Sequence, residues 1–240
     1  MDFERWRLRP LHKVSRGHND DYARKGSQLT AAEAILNAVH DRLVFGRRVR
    51  VLSEALAKQL PPNAKVLDVG TGDGSIAALI MEQRPDVAIE GVDVFLRAKT
   101  RIPVTTFDGR QLPFFNNAFD CVMFVDMLHH TSDPAFLVRE AARVASHAVL
   151  IKDHLLEGLL AGPTLRLMDW VGNRGHKVAL LYHYLPRARW NEIFEEADLR
   201  IDLWIHRLAL YPLPAGWVFD RRLHFVARLI KHSIDRRGRC

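Results

Sequence analysis

Val66-Leu67-Asp68-Val69-Gly70-Thr71-Gly72-Asp73-Gly74-Ser75 is the stretch that decides how this chain folds. A short apolar strand runs into three glycines at alternate positions, and a helix opens at Ser75. Glycine at such a turn lets the backbone bend tightly and lets a ligand approach without meeting a Cβ. The spacing is G-x-G-x-G; Ser75 stands where the dinucleotide fingerprint G-x-G-x-x-G has its third glycine. A carboxylate, Asp68, sits just before the turn.

Downstream, strand and helix patterns alternate. Residues 65–69 read as a strand, 75–83 as a helix, 87–92 and 103–107 as strands, and 119–125 as a longer apolar strand. A helix over 133–144 and a strand over 146–152 follow. Continuous apolar strands alternating with helices indicate a parallel sheet covered on both faces, whose ligands lie outside the carboxyl ends of the strands. Residues 155–185 read as long and irregular, then a helix over 187–197 and strands near 201–208 and 223–230. Upstream, Thr30-Ala31-Ala32-Glu33 has the form of a capping box ahead of helically spaced Ile35, Leu36, Val39 and Leu43. A second helix with Val51, Leu52, Ala55, Leu56 and Leu60 stops at Pro61-Pro62, and residues 1–28 read as a polar arm.

Charge is more telling than spacing. A pyrophosphate at a helix N-terminus favours positive surroundings, and Asp68 would repel it. S-adenosylmethionine has no phosphate and carries a cationic ammonium and a cationic sulfonium, so a carboxylate there attracts it. The next strand ends at Asp93, 25 residues after Asp68, where an acid can accept ribose hydroxyls. The third ends at Asp108-Gly109 and the fourth at Asp126. Four successive strands therefore deliver an acid at one edge.

At these residues the chain resembles the class I S-adenosylmethionine-dependent methyltransferases, particularly the small-molecule branch that includes quinone and sterol methylating enzymes. The resemblance spans roughly residues 60–155, through Val66 to Gly74, Gly91 to Asp93, Phe107 to Phe119, Val125 to Pro134, and Arg143-Val144. It implies a Rossmann-like α/β fold, a doubly wound, seven-stranded, mostly parallel sheet of order 3-2-1-4-5-7-6. A helical N-terminal cap over residues 1–60 would precede a methyltransferase domain over 61–240, with 155–185 inserted after strand 5. It further implies that Asp68, Gly70, Thr71 and Gly72 hold the methionine part of the cofactor and Asp93 the ribose. Val94, Asp108 and Gly109 would meet the adenine, and Asp126 with Met127 would line the methyl-donor side.

A general base is needed only where the acceptor must lose a proton. His129, His130 and His154 follow strands four and five; His154 and His130 are the candidate bases, with Asp153 beside His154. Trp170, His176, Tyr182, His183 and Tyr184 are expected in a cap whose aromatic character fits an acceptor with an apolar part. No histidine pair at metal-ligand spacing with a third ligand is readable, so no metal is expected. Two other readings compete: a scaffold that binds S-adenosylmethionine without turnover, and a nicotinamide-dependent oxidoreductase on a similar fold.

Composition narrows the setting. With 240 residues, 48% of them apolar and 26% charged, the chain can bury a sizeable core, and disorder over most of its length is not expected. No run approaches the ~18–20 apolar residues of a membrane span, and no secretory signal is expected behind Met1-Asp2-Phe3-Glu4-Arg5. Cys121 and Cys240 make no disulfide or metal framework, which points to a cytoplasmic setting. The net charge of +7 gathers in Arg47-Arg48-Val49-Arg50, Arg221-Arg222 and Arg236-Arg237. These clusters are short and lack interleaved aromatics, so no nucleic acid is expected. A small acceptor, anionic or lipid-linked, with peripheral contact to an acidic membrane, is compatible with them.

Overall fold

The computed structural model describes residues 46–172 and 182–231. The capping box at Thr30, the arm over residues 1–28 and His176 lie outside the described residues.

Seven strands form one sheet: β1 (Lys65–Val69), β2 (Ala88–Asp93), β3 (Val104–Thr106), β4 (Phe119–Val125), β5 (Ala145–His154), β6 (Leu199–Ile205) and β7 (His224–Lys231). Their order is β3-β2-β1-β4-β5-β7-β6. β1 pairs in parallel with β2 and β4, β2 with β3 and β4 with β5. β7 alone runs antiparallel to both its neighbours. This is the Rossmann-like order implied above.

Alternation along the central strands builds two cores, because successive side chains of a strand point to opposite faces. Leu67, Val69, Val122, Phe124, Val149 and Ile151 face one way, against Leu137, Val138 and Ala141 of α3 (Pro134–Val144) and Trp190, Ile193 and Phe194 of α5 (Arg187–Glu196). Val66, Cys121, Met123, Ala148 and Leu150 face the other, against Leu52 and Leu56 of α1 (Gly46–Ala57) and Ala77 and Ile80 of α2 (Ser75–Gln83). Both faces are thus covered, and function is left to the strand ends. Asp133 caps α3 by accepting from Phe136 N at 2.9 Å, with Pro134 at the first helical position.

Residues 155–185 depart from the expected irregular stretch. They contain α4 (Ala161–Gly172), whose Ala161 and Leu165 pack with Tyr184 and Leu223 in a small third cluster. A short α6 (Gly216–Phe219) lies ahead of β7.

Candidate active site

The glycine turn is an open cradle. Gly70, Gly72 and Gly74 have φ of 74°, 63° and 75°, a left-handed conformation that strains any residue with a Cβ. A Cβ on Gly70 would run into the Met127 side chain, whereas one on Gly72 would meet nothing within 4 Å. Met127 therefore roofs the start of the turn, and space opens beside its middle. Gly70 N donates to Val92 O at 2.8 Å, tying the turn to β2.

The predicted cofactor residues form a chain of neighbours along this cradle. Thr71 Oγ1 donates to Asp68 Oδ2 at 2.6 Å. Asp93 Oδ2 accepts from Gly72 N at 2.8 Å, and its Oδ1 from Phe95 N at 3.0 Å. Phe107 N donates to Asp93 O at 3.1 Å, which draws the ends of β2 and β3 together. Val94 leans on Gly109, where a Cβ would stand 3.0 Å from its Cγ1. Asp108 Oδ1 caps its own turn by accepting from Arg110 N and Gln111 N. Asp68 is 3% exposed, and its Oδ1 is buried without a partner. Burial pushes its carboxyl up to about 7, against the Thr71 hydrogen bond and with help from Asp93.

Asp126, expected on the methyl-donor side, is partly buried, and its carboxylate is engaged by two cations: Oδ2 accepts from Arg48 of α1 and Oδ1 from Lys152 of β5. Lys152 is fully buried, and an unpaired buried ammonium would be costly. Burial alone would raise the Asp126 carboxyl, but Arg48 and Lys152 outweigh it and hold it well below the ordinary value.

Beyond Met127 the chain makes a tight turn, Leu128–His130, which Asp153 fixes from β5. Its Oδ2 accepts from Leu128 N at 3.0 Å, and its Oδ1 accepts from the His154 N–H and from His129 Nδ1, both at 2.6 Å. The other His129 nitrogen, Nε2, lies 3.4 Å from Asp169 Oδ2 of α4, and Tyr184 donates its hydroxyl to that same oxygen. Burial pulls the His129 imidazole down, but Asp153 and Asp169 prevail and push it up to about 10. His154, the other candidate base, is 2% exposed, with its ring edge-on to those of His129 and Tyr184. Burial, and then the charge on His129, lower its imidazole below the ordinary value. His130 is only partly buried, and burial beside His129 lowers it to about 4.

A family model for the methyltransferase domain matches residues 40–203. The chain belongs to this S-adenosylmethionine-dependent methyltransferase family. It is 32% identical over 112 residues to the ubiquinone/menaquinone biosynthesis C-methyltransferase of Desulfotalea psychrophila, covering 42% of this chain and 46% of that protein. It is also 32% identical over 108 residues to the 27-O-demethylrifamycin SV methyltransferase of Amycolatopsis mediterranei, covering 39% of each. The match thus spans less than half of these relatives' length. Among solved structures, an S-adenosylmethionine-dependent methyltransferase of Mesorhizobium loti superposes with a TM-score of 0.56 at 15% identity, covering 74% of this chain and 96% of that one.

The crevice fits the family's cofactor. An unpartnered buried carboxylate oxygen at Asp68 suits a cationic ligand, and the open side of Gly72 leaves room for it. Sequence reasoning missed Arg48, Lys152, Asp169 and His224, which complete the polar layer at the carboxyl edge. His224 begins antiparallel β7 opposite His154 and lies 3.4 Å from Lys152 Nζ. One signal was available: Lys152-Asp153-His154 continues the apolar run Val149-Leu150-Ile151, and charges in a buried strand require partners.

Proposed function

We propose that this chain transfers the methyl group of S-adenosylmethionine to a small acceptor with an apolar part. The crevice between the glycine turn and the Leu128–His130 turn would be the place. The carrying observation is the buried, unpartnered Asp68 oxygen beside an open glycine turn, an arrangement that welcomes a cation and opposes a diphosphate. When bound, S-adenosylmethionine supplies a methyl group on cationic sulfur. Asp68, Gly70, Thr71 and Gly72 would hold its methionine part. Asp93 would hold the ribose, Val94, Asp108 and Gly109 would border the adenine, and Met127 would line the donor side.

Methyl transfer asks chiefly for alignment and a dry pocket. Leu159, Leu160, Trp170 and Trp217 are large apolar side chains left exposed around α4 and α6, which supports an acceptor with a hydrophobic portion. The names of the two relatives, one a methyltransferase of ubiquinone and menaquinone biosynthesis and one of 27-O-demethylrifamycin SV, support the small-molecule class. Of the two candidate bases, His130 is the less buried and would be the one to meet the acceptor. His154 would act as a positioning group behind it.

Asp93→Ala is expected to weaken S-adenosylhomocysteine binding by about 1–3 kcal/mol, read by isothermal titration; unchanged affinity would remove Asp93 from the site. His130→Ala is expected to lower turnover about 100-fold while leaving cofactor affinity within twofold. An equal loss in both would assign His130 to cofactor binding. The reading itself is tested by incubating the chain with methyl-labelled cofactor and a cell extract and isolating the labelled product. Tight cofactor binding with no label in any fraction would favour the scaffold reading.

A further inference from the structure

The polar layer holds more than a methyl transfer asks of it. His129, His130 and Asp169 each offer a ligand atom, and these atoms lie within 4.8 Å of one another. His129 Nε2 and His130 Nδ1 are both buried without a hydrogen-bond partner, and the two rings lie 4.0 Å apart between centroids. Among the described residues His130 Nδ1 has no partner, and the neighbour of His129 Nε2 is the Asp169 carboxylate, 3.4 Å away, so both nitrogens are left short of a good hydrogen bond in a buried place.

From these observations we propose that His129, His130 and Asp169 bind one divalent first-row metal ion of the kind that prefers imidazole and carboxylate ligands, such as zinc or cobalt. The setting is that of a built metal site. Metal-ligating histidines donate their second ring N–H to a carboxylate, which fixes the tautomer and aims the other nitrogen at the metal. His129 Nδ1 makes that bond to Asp153 at 2.6 Å, leaving Nε2 turned toward Asp169. Asp169 is in turn held by the Tyr184 hydroxyl. Two imidazoles and one carboxylate match the three-ligand sets of catalytic sites, in which a remaining position stays open.

A second trio, His129, Asp153 and His154, is equally compact but unsuitable. Asp153 already accepts from Leu128 N, His129 Nδ1 and His154 N, and all three residues are buried. The trio with His130 instead includes one residue that is only partly buried, His130. If the acceptor-side reading above holds, on which this refinement of the His130 role rests, an open metal position there would take an ionisable oxygen of the acceptor and favour its deprotonated form.

The test uses cobalt(II) alone, added to the chelator-treated full chain without donor or acceptor. We expect one equivalent to bind, with the visible absorption of a low-symmetry nitrogen–oxygen site. His130→Ala and Asp169→Asn should each lower cobalt affinity by more than the roughly 10- to 100-fold that losing an orienting partner costs. Circular dichroism and S-adenosylhomocysteine binding confirm that each variant is folded. Should Asp169→Asn fail to fold, His130→Gln alone decides. No cobalt absorption in a chain that binds S-adenosylhomocysteine would overturn the metal site and leave the methyltransferase reading standing. Binding that survives both substitutions would overturn it too. Cobalt bound by a chain that never methylates would leave the site intact and count against the activity.

Discussion

Asp126→Asn is expected to destabilise the fold by about 3 kcal/mol, toward the lower end of what breaking a buried ion pair costs. Asparagine keeps the size of the side chain and tolerates the positive φ of 52° found there, so charge is what changes. Both carboxylate oxygens are engaged, one by Arg48 and one by Lys152. Neutralising Asp126 strands the Lys152 ammonium inside the sheet, with His224 Nδ1 3.4 Å away. Arg48, a quarter exposed at 23%, can turn toward water and recover part of the loss. For a chain of this size, 3 kcal/mol lowers Tm by roughly 6–12 °C, which calorimetry resolves. Adding Lys152→Met should return much of the stability, because a double-mutant cycle isolates the coupling between neighbours. Cofactor affinity should stay within twofold. A large loss of affinity with Tm unchanged would give Asp126 the donor-side role expected from its sequence position.

Asp126 shows how far a local signal carries in this fold. The sheet order, and the gathering of strand-end acids at one edge, were readable because a parallel sheet delivers consecutive strand ends to one edge. A local signal, glycine turn plus strand-end acid, therefore maps directly onto a shared surface. Asp68, Asp93 and Asp108 follow that logic. Asp126 carries the same local signal but is claimed by partners that no window around residue 126 contains. Arg48 comes from a helix nearly eighty positions upstream, inside the basic cluster Arg47-Arg48-Val49-Arg50. Lys152 sits in an adjacent strand.

The histidine layer was half legible for the same reason. His129, His130, Asp153 and His154 stood out at strand ends. His224 did not, because an antiparallel strand brings its beginning, not its end, to that edge. Asp169 was hidden in a stretch that read as irregular. α4 exposes Leu167 and Trp170 while burying Leu165, which blurs the one-sided stripe of a surface helix. Pro163 in its first turn was the readable sign of a helix start.

The larger effect on binding is expected from pH. Asp68 has its carboxyl raised from 3.8 to about 7, first by burial and then by Asp93. A carboxyl raised in the folded state binds its proton more tightly there than in the unfolded chain. The unliganded protein therefore loses stability as pH rises from about 4 to about 7. A cationic ligand reverses the preference, because it needs the ionised form. Only the fraction of chains with Asp68 ionised is competent, and apparent affinity scales with that fraction. Between pH 7.5 and 5.5 this fraction falls on the order of 20-fold for a group titrating at about 7. S-adenosylhomocysteine, which keeps the ammonium, should thus bind on the order of 20-fold more weakly at pH 5.5 than at 7.5. In the metal-free chain His129, raised to about 10, and His130, lowered to about 4, keep their protonation states across that window and do not distort the profile. Asp68→Asn should flatten it and cost about 1.5–3 kcal/mol of affinity at pH 7.5, the scale of a hydrogen bond to a charged group. The same variant should gain stability at pH 7.5 without ligand, because the buried charge is gone. Affinity independent of pH in the wild-type chain would mean that Asp68 ionises without a cation beside it, and the acidic cradle would no longer explain the choice of cofactor.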